Sequence, residues 1–226
     1  MTTILITGVG RGLGHEIARQ ALGKGWNVIG SVRQEADANL LKDLAGDRFK
    51  AVMFDVRDGA AINAAASSID EPIDILLNCS GIIGPKRQSA LDMDFGGFAD
   101  TLAINTVGPL RVTQAFLPHL KRSGHARIVT LSSFMGSMSY AKSDRIAYRA
   151  SKAAVNKVMQ GLATDLEPLG IAVATAHPGW VRTDMGGEHA DISPQESAGG
   201  VLELCEKLDL ASTGHFWNWD GEHLAW

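Results

Sequence analysis

Tyr148 and Lys152 are spaced for acid–base chemistry, four residues apart in the run Tyr-Arg-Ala-Ser-Lys. On a helix this spacing places both side chains on one face, about 6 Å apart along the axis. An ammonium held near a phenol favours the phenolate, and can lower the tyrosine pKa from about 10 toward the working pH. Such a tyrosine can pass a proton to or from a substrate oxygen. The same spacing also occurs on solvated helix faces, so the rest of the chain must decide between the two.

The composition of the 226 residues, with 45% hydrophobic and 20% charged, is typical of a soluble globular protein. A single α/β domain over residues 1–226 is the simplest expectation. The formal net charge of −4 gives no electrostatic case for nucleic acid or an anionic membrane as partner, and no apolar run is long enough to span a bilayer. Because the N-terminus leads directly into a strand-like run, we expect no signal peptide and a cytoplasmic location.

Two cysteines, Cys79 and Cys205, lie far apart and belong to no cluster with metal-ligand spacing. Cytosolic thiols are kept reduced, and zinc sites need closely spaced ligands. We therefore expect free thiols, no disulfide and no metal site.

Short apolar runs alternate with helical patterns along the whole chain. Helices are predicted at 12–22 and 95–120, among others, and a last strand within 214–221. Near-continuous apolar strands separated by amphipathic helices are typical of a parallel sheet covered on both faces. The pattern predicts a doubly wound α/β fold with a parallel sheet of about seven strands and helices on both faces. The first six strands are predicted at 4–7, 28–32, 51–54, 73–77, 127–131 and 171–176.

A glycine-rich loop, Thr-Gly-Val-Gly-Arg-Gly-Leu-Gly, joins the first predicted strand to the first predicted helix. Glycines at such a place permit a tight turn and let the backbone approach a pyrophosphate at the helix N-terminus. The alternative is a turn that binds nothing, but the strand–loop–helix context favours a dinucleotide site. The residues predicted to bind it are Gly8, Gly10, Arg11, Gly12, Leu13 and Gly14.

The end of the second predicted strand bears on the choice of dinucleotide. Folds that prefer NAD usually place an acid there to hold the ribose hydroxyls. This strand ends in Ser31, Val32 and Arg33, without a carboxylate. Arg33 and Arg11 could together grip a 2′-phosphate, since guanidinium groups match phosphate geometry; the alternative is two exposed surface arginines. We therefore expect NADP(H) as the preferred cofactor, with NAD(H) possible.

The third and fourth predicted strands also end in polar residues. Asp55 and Val56 follow the third strand, where a carboxylate can accept the adenine amino group in this fold. The alternative for Asp55 is a cap for the helix that begins near Asp58. The fourth strand runs into the polar segment Asn-Cys-Ser-Gly at residues 78–81.

Asn105 lies four residues before Pro109 in the long helix predicted at 95–120. Because proline has no N–H, it cannot donate to the carbonyl four residues back. The Asn105 carbonyl is therefore predicted to be free for another partner, such as water. The alternative is a kink with no further role.

Two serines, Ser132 and Ser133, compete for a place at the carboxyl end of the fifth predicted strand, where ligands bind in open α/β sheets. A nucleophilic serine is a poor interpretation, because no G-x-S-x-G pattern surrounds either residue. Tyr148 follows fifteen positions after Ser133, on the next predicted helix.

The sixth predicted strand ends in His-Pro-Gly-Trp-Val-Arg-Thr-Asp. Pro-Gly turns the chain away from the sheet, and residues 185–189 then form a predicted substrate loop. We expect His177 to be structural, and the tryptophans near the C-terminus to lie in the core or at an interface.

Taken in order from residue 7 to residue 184, these motifs resemble the short-chain dehydrogenase/reductase family, whose fold is Rossmann-like. The patterns Thr-Gly-x-x-x-Gly-x-Gly, Ser-Ser-x-x-Gly, Tyr-x-x-x-Lys and Pro-Gly-x-Val-x-Thr are all present. The chain departs from the family at Cys79 and Ser80, where the family has Asn and Ala. Tyr-Arg-Ala-Ser-Lys, His-Pro-Gly-Trp and the final aromatic-Asp-Gly segment are similar to the C-factor/sniffer-like carbonyl reductase branch.

The resemblance implies the reduction of an aldehyde or ketone to an alcohol, or the reverse. It makes Tyr148 the proton donor and Ser133, rather than Ser132, the hydrogen-bond partner of the reacting oxygen. Lys152 would lower the pKa of Tyr148 and hold the nicotinamide ribose. Asn105 would anchor a water in a proton relay, and Thr183 would contact the nicotinamide carboxamide side. The other cofactor contacts that the resemblance implies at the later strand ends are Asn78, Ser80, Gly81, Pro178, Gly179 and Val181.

The resemblance leaves the substrate open, because the family varies the pocket loops 82–94, 134–147 and 185–193. It implies a small-molecule carbonyl or alcohol as partner, and a homodimer or homotetramer paired through the long helices. The alternative function is an NADP(H)-binding sensor or signalling module with little turnover. The set of four catalytic residues favours an enzyme, because a sensor has no need of a proton donor.

Overall fold

A parallel sheet forms the centre of the protein. This computed structural model describes residues 1–39, 41, 46–139 and 141–226. Within that part, seven strands form one sheet, and β5 and β6 pair separately as a short antiparallel hairpin. The order across the sheet is β3-β2-β1-β4-β7-β8-β9, with every neighbouring pair parallel. The strands are β1 (Thr3–Thr7), β2 (Asn27–Val32), β3 (Phe49–Met53), β4 (Ile75–Asn78), β5 (Gln88–Ser89), β6 (Asp92–Met93), β7 (Arg127–Leu131), β8 (Ala172–His177) and β9 (Phe216–Asn218).

Helices connect these strands. They are α1 (Gly12–Gly23), α2 (Gly59–Ser67), α3 (Phe95–Leu102), α4 (Gly108–Arg122), α5 (Ile146–Leu166) and α6 (Pro194–Lys207). Helix α6 begins with a capping box, in which Ser193 accepts from the main-chain N–H of Glu196 and Glu196 accepts from that of Ser193. This is the start that the Ser-Pro-Gln-Glu sequence predicts.

Two hydrophobic cores cover the two faces of the sheet. In β1, Ile4 and Ile6 point to one face and Leu5 to the other, because successive side chains of a strand alternate. The first two pack in a core with α1 and α6, and Leu5 packs in a core with α2, α4 and α5. All three are 0% exposed, and burying a side chain of this size stabilises the fold by about 1.5–3 kcal/mol. The predicted doubly wound fold, with about seven parallel strands and helices on both faces, is confirmed.

The helix predicted at 95–120 is interrupted. Between α3 and α4 the chain makes a turn of π-helix at Ala103–Val107, in which the N–H of Gly108 donates to the carbonyl of Ala103, five residues back. A π turn adds one residue to a helical turn and is frequent at functional sites. It lies directly before Pro109, whose missing N–H disfavours the regular pattern.

The predicted strand bounds differ from the observed ones by up to two residues. Strand β7 is as predicted, whereas β3 begins at Phe49 and β4 at Ile75. Hydrogen bonds between strands fix these bounds, and an apolar run also continues into the flanking turns. Of the described residues, none belongs to a helix long and apolar enough to cross a membrane.

Candidate active site

The glycine loop between β1 and α1 is shaped by close main-chain contacts. Gly8 adopts φ +79°, and a Cβ added to Gly14 would lie only 2.3 Å from the main-chain oxygen of Gly8. A side chain at Gly14 would therefore separate the helix from the loop. Arg11, at the N-cap of α1, makes no side-chain capping hydrogen bond within the described part of the chain. The first N–H groups of α1 are thus available to an anion, which fits a dinucleotide pyrophosphate.

The two arginines predicted to hold a 2′-phosphate are both exposed. Arg11 Nη1 lies 3.7 Å from Asp184 Oδ2, with the two side chains 77% and 88% exposed. An ion pair this exposed contributes little to stability, so Arg11 can be drawn to a stronger anion. The structure also brings an acid to this end of the site: a Cβ at Gly10 would lie 2.8 Å from Cβ of Asp37. Sequence reasoning missed Asp37, because it lies beyond the end of β2.

Asp55 is held by Arg57, at 3.1 Å from Nε and 2.9 Å from Nη2. This hydrogen bonding lowers the pKa of Asp55, against the effect of partial burial. The helix-cap alternative for Asp55 is wrong, since α2 is capped by Asp58, which accepts from the N–H of Ala61 at 3.0 Å. Val56 is buried against α4, where a Cβ at Gly108 would lie 2.9 Å from the Val56 Cβ.

The segment after β4 is fixed to the glycine loop. Oγ1 of Thr7 accepts from the main-chain N–H groups of Cys79, at 2.9 Å, and Ser80, at 3.0 Å. Asn78 is buried and donates to Oγ1 of Thr130 at 3.1 Å, so its side chain acts inside the sheet. Burial raises the pKa of the Cys79 thiol to about 12, which keeps it protonated at neutral pH. Cys79 and Cys205 are free cysteines, as predicted.

Asn105 uses its side chain to join two segments of the site. Its Oδ1 accepts from the N–H of Ile82 at 2.9 Å, and its Nδ2 donates to the carbonyl of Ile82 at 2.8 Å and to Oγ of Ser151 at 3.0 Å. Only 1% of the residue is exposed. With the amide committed in this way, the main-chain carbonyl is the group left for a relay water, and its role stays a prediction.

Gly81 lies between Asn105 and Lys152. A Cβ there would be 3.3 Å from Asn105 Oδ1 and 3.7 Å from Lys152 Nζ. A side chain at this position would intrude between the asparagine and the lysine. This steric limit explains why the Asn-Cys-Ser-Gly run ends in glycine.

Ser133 and Tyr148 are brought together where β7 ends and α5 begins. Ser133 is 6% exposed and Tyr148 is 8% exposed, and the Ser133 hydroxyl lies close enough to the phenol to influence its pKa. The other serine, Ser132, instead directs its Oγ to the main-chain carbonyl of Lys152 at 3.4 Å. The structure therefore places Ser133, and not Ser132, at the tyrosine hydroxyl.

Burial raises the pKa of Tyr148, because a phenolate is poorly solvated in the interior, and the Ser133 hydroxyl opposes this effect. The Tyr–Lys spacing predicts a lowered pKa for Tyr148, and this prediction is wrong for the protein without cofactor. The ammonium lies beside the ring, with Lys152 Nζ 5.7 Å from the ring centroid. A tyrosine in this state remains protonated and suits the role of proton donor.

Lys152 is buried, and its Nζ donates to the main-chain carbonyl of Leu131 at 2.8 Å. Burial lowers its pKa to about 8, because the charged form loses hydration. The segment after β7 approaches α5 closely at Gly136, where a Cβ would lie 2.7 Å from the main-chain carbon of Lys152.

Burial also lowers the pKa of His177, to about 4. His177 is thus neutral at neutral pH, in line with a structural role.

The segment after β8 folds over the glycine loop. Gly179 adopts φ +83°, Val181 bridges to Ile192, and the carbonyl of Pro178 accepts from Ser197 Oγ at 2.6 Å. A Cβ at Gly12 would lie 4.0 Å from Cγ2 of Thr183. The two predicted cofactor segments therefore face each other across the carboxyl edge of the sheet.

Beyond Asp37, sequence reasoning missed Gln88, which accepts from the N–H of Tyr148 at 3.1 Å. No motif marks Gln88, and only the fold brings it to Tyr148. Ser151, which bonds to Asn105, could have been noticed from its place beside Lys152 in the sequence.

Comparison with known proteins agrees with this geometry. Residues 2–192 match the family model described as short chain dehydrogenase. The chain is 40% identical over 158 residues to "C-signal" of Myxococcus xanthus, a match that covers 69% of this chain and 93% of that protein.

Two solved structures are similar over the whole chain. Carbonyl reductase Sniffer of D. melanogaster shares 33% identity with a TM-score of 0.93, covering 100% of both chains. The NADPH-bound carbonyl reductase from chicken fatty liver shares 31% identity with a TM-score of 0.91, covering 100% of this chain and 99% of that one. The chain therefore belongs to the short-chain dehydrogenase/reductase family of oxidoreductases.

Proposed function

We propose that the protein is an NADP(H)-dependent oxidoreductase that reduces an aldehyde or ketone to an alcohol, or catalyses the reverse reaction. The observation that carries the proposal is the buried group of Ser133, Tyr148 and Lys152 at the carboxyl end of β7. Open α/β sheets bind their ligands at this edge. The nicotinamide cofactor, when bound, supplies the hydride or accepts it.

In the direction of reduction, the neutral Tyr148 donates its phenolic proton to the carbonyl oxygen. Ser133 donates a hydrogen bond to the same oxygen, which stabilises the charge that develops there. Lys152 holds the nicotinamide ribose, and its charge favours the phenolate that proton donation leaves behind. Asn105 anchors, through its main-chain carbonyl, a water that returns a proton to the site.

The proposed cofactor is NADP(H), with NAD(H) the less favoured choice. Exposed Arg11 and Arg33 carry the charge that a 2′-phosphate requires, and a similar carbonyl reductase was solved with NADPH bound. Asp37 argues in the other direction, because a carboxylate near Gly10 would repel the phosphate. The proposed contacts also include Gly8, Gly10, Gly12, Leu13, Gly14, Asp55, Val56, Asn78, Ser80, Gly81, Tyr148, Lys152, Pro178, Gly179, Val181 and Thr183.

The test is oxidation of NADPH and of NADH, side by side, with a panel of aldehydes, ketones and quinones. We expect turnover with at least one carbonyl, and a higher kcat/KM for NADPH than for NADH. Tight NADPH binding without turnover on any member of the panel would instead favour the second candidate, a cofactor-binding signalling module. Similarity to the protein named "C-signal" is the observation that keeps this candidate in view.

We also propose that residues 1–226 form one domain, that the protein is cytoplasmic, and that its partner is a small-molecule substrate rather than nucleic acid or a membrane. A homodimer or homotetramer would form through α3, α4 and α5. Light scattering coupled to gel filtration measures the assembly directly.

A further inference from the structure

The N-terminus of helix α5, which carries Tyr148 and Lys152, lacks a local cap. Arg145 occupies the N-cap position with φ +53° and ψ +46°, and it makes no side-chain capping hydrogen bond in the described part of the chain. The first N–H groups of a helix have no partner within the helix. One of these groups belongs to Tyr148, the third residue of α5.

Gln88 supplies the missing partner from 60 positions earlier in the chain. Its Oε1 accepts from the N–H of Tyr148 at 3.1 Å. Its Nε2 donates to the main-chain carbonyls of Ile83, at 3.0 Å, and Pro85, at 2.7 Å. The two carbonyls can only accept, so they determine which end of the amide faces the helix. Gln88 is 7% exposed, and a buried amide bonded on both ends is costly to replace.

The loop that Gln88 holds is shaped to receive it. Gly84 adopts φ +89°, and a Cβ there would lie 3.4 Å from Gln88 Oε1 and 2.9 Å from Oγ1 of Thr101. Any larger residue at Gly84 would press on both side chains. The turn at 83–85 thus closes around the glutamine amide.

A cavity of about 460 Å³ opens beside this connection, lined by residues 83–86, 88, 89 and 143–145. One wall is the loop that Gln88 holds, and the other is the segment that leads into α5. One buried side chain therefore connects the loop to the first turn of the helix that carries the proton donor.

We propose that Gln88 is a positioning residue for carbonyl reduction, which caps α5 at Tyr148 and so couples the 83–89 loop to the position of the tyrosine. The proposal rests on the proposed function. Gln88 does not touch the reacting atoms; it acts through the main chain of Tyr148. Because proton transfer requires hydrogen-bond distance between donor and substrate oxygen, a small displacement of α5 lowers the rate.

The test uses two substitutions and a matched control in the full chain. Gln88→Leu removes all three hydrogen bonds at similar size. Gln88→Glu keeps an acceptor for the Tyr148 N–H, but its ionised carboxylate cannot donate to the loop carbonyls. The control is Gln20→Leu: Gln20 Nε2 donates to Glu16 Oε1 at 2.8 Å and to the Gln195 carbonyl at 3.0 Å, joining α1 to α6 away from α5.

We expect Gln88→Leu to lower kcat about tenfold to a hundredfold, because misplaced reacting groups have effects of this size. The NADPH affinity of Gln88→Leu and the kcat of the control Gln20→Leu should each differ from wild type by less than about threefold. In Gln88→Glu, kcat should rise as pH falls through the pKa of the introduced carboxyl, since the protonated form can again donate to a loop carbonyl. Gln88→Leu should show no such rise. Unchanged kcat in Gln88→Leu, or a loss that Gln20→Leu reproduces, would overturn the proposal.

Amide hydrogen exchange gives a readout that does not need turnover. In Gln88→Leu, peptides covering 83–89 and 146–150 should lose protection together, and in Gln20→Leu both should keep it. Joint loss of protection supports the coupling whether or not the wild-type protein reduces a carbonyl. Absence of carbonyl reduction by the wild type would overturn the proposed function but not the coupling. If both peptides keep their protection in Gln88→Leu, the coupling is contradicted. The proposed function would still stand in that case, provided that the wild-type protein reduces a carbonyl.

Discussion

Room for a ligand in the glycine loop comes from side chains that are absent, whereas the chemistry at Tyr148 comes from side chains that distant elements bury. The loop at 8–14 offers main-chain N–H groups and close approach, as the 2.3 Å between a Cβ at Gly14 and the oxygen of Gly8 shows. Tyr148 and Lys152 are instead enclosed, and burial moves the pKa of both. The first region depends on residue types in sequence order, and the second depends on what packs around it.

The largest expected effect is in the buried region. Tyr148→Phe should lower kcat by about a hundredfold to ten-thousandfold, the range for loss of a general acid. NADPH affinity, measured by fluorescence titration, should stay close to wild type, because Tyr148 is one of many proposed cofactor contacts and phenylalanine keeps its ring. Rates like those of the wild type in this variant would remove Tyr148 from the mechanism.

For the glycine loop at 8–14 we expect the opposite result, a change in cofactor binding. Gly14→Ala should weaken NADPH binding more than about tenfold, since the added methyl pushes α1 away from the loop that holds the pyrophosphate. Gly23→Ala, at the other end of α1, is the control, because a Cβ there meets no described atom within 4 Å. Equal NADPH affinity in the two variants would show that the close approach at Gly14 has no role in binding.

The preference for NADPH over NADH tests the glycine loop further, because it depends on the charges of Arg33 and Asp37 at the edge of that loop. Arg33→Ala should weaken NADPH binding about tenfold and leave NADH unchanged, as loss of one phosphate contact would. Asp37→Asn should strengthen NADPH binding by removing a repulsive charge. If Asp37 instead holds ribose hydroxyls, Asp37→Asn weakens NADH binding and Arg33→Ala has no effect on NADPH.

The last expected effect is on stability rather than on binding or turnover, and it depends on pH. Burial lowers the pKa of His177 from 6.5 to about 4 in the folded protein. Between these values the unfolded chain binds a proton that the folded chain does not, so the free energy of unfolding falls as pH decreases from 6.5 to 4. Relative to His177→Asn, the wild type should lose about 1–3 kcal/mol across this window. Urea denaturation at several pH values measures it, and parallel curves for the two proteins would contradict the assignment.

Much of the fold was predictable from the sequence, because apolar runs and glycine positions report local needs. The succession of strands along the chain, the glycine loop and the end of β7 at Ser132 and Ser133 all follow from such patterns. The π turn before Pro109 was not predictable in form, since proline indicates an interruption but does not say how the helix accommodates it. Gln88 and Asp37 were also beyond sequence reasoning, because their partners lie in segments that only the fold brings near.

The sequence alone determined the fold class, the family motifs and the residues that compete for each role. The tertiary structure decided which serine faces Tyr148, that the side chain of Asn105 is committed to Ile82 and Ser151, and that burial raises the pKa of Tyr148. The reason is that residue types and spacing fix what a side chain can do, whereas solvation and partners are set by elements that are distant in the chain.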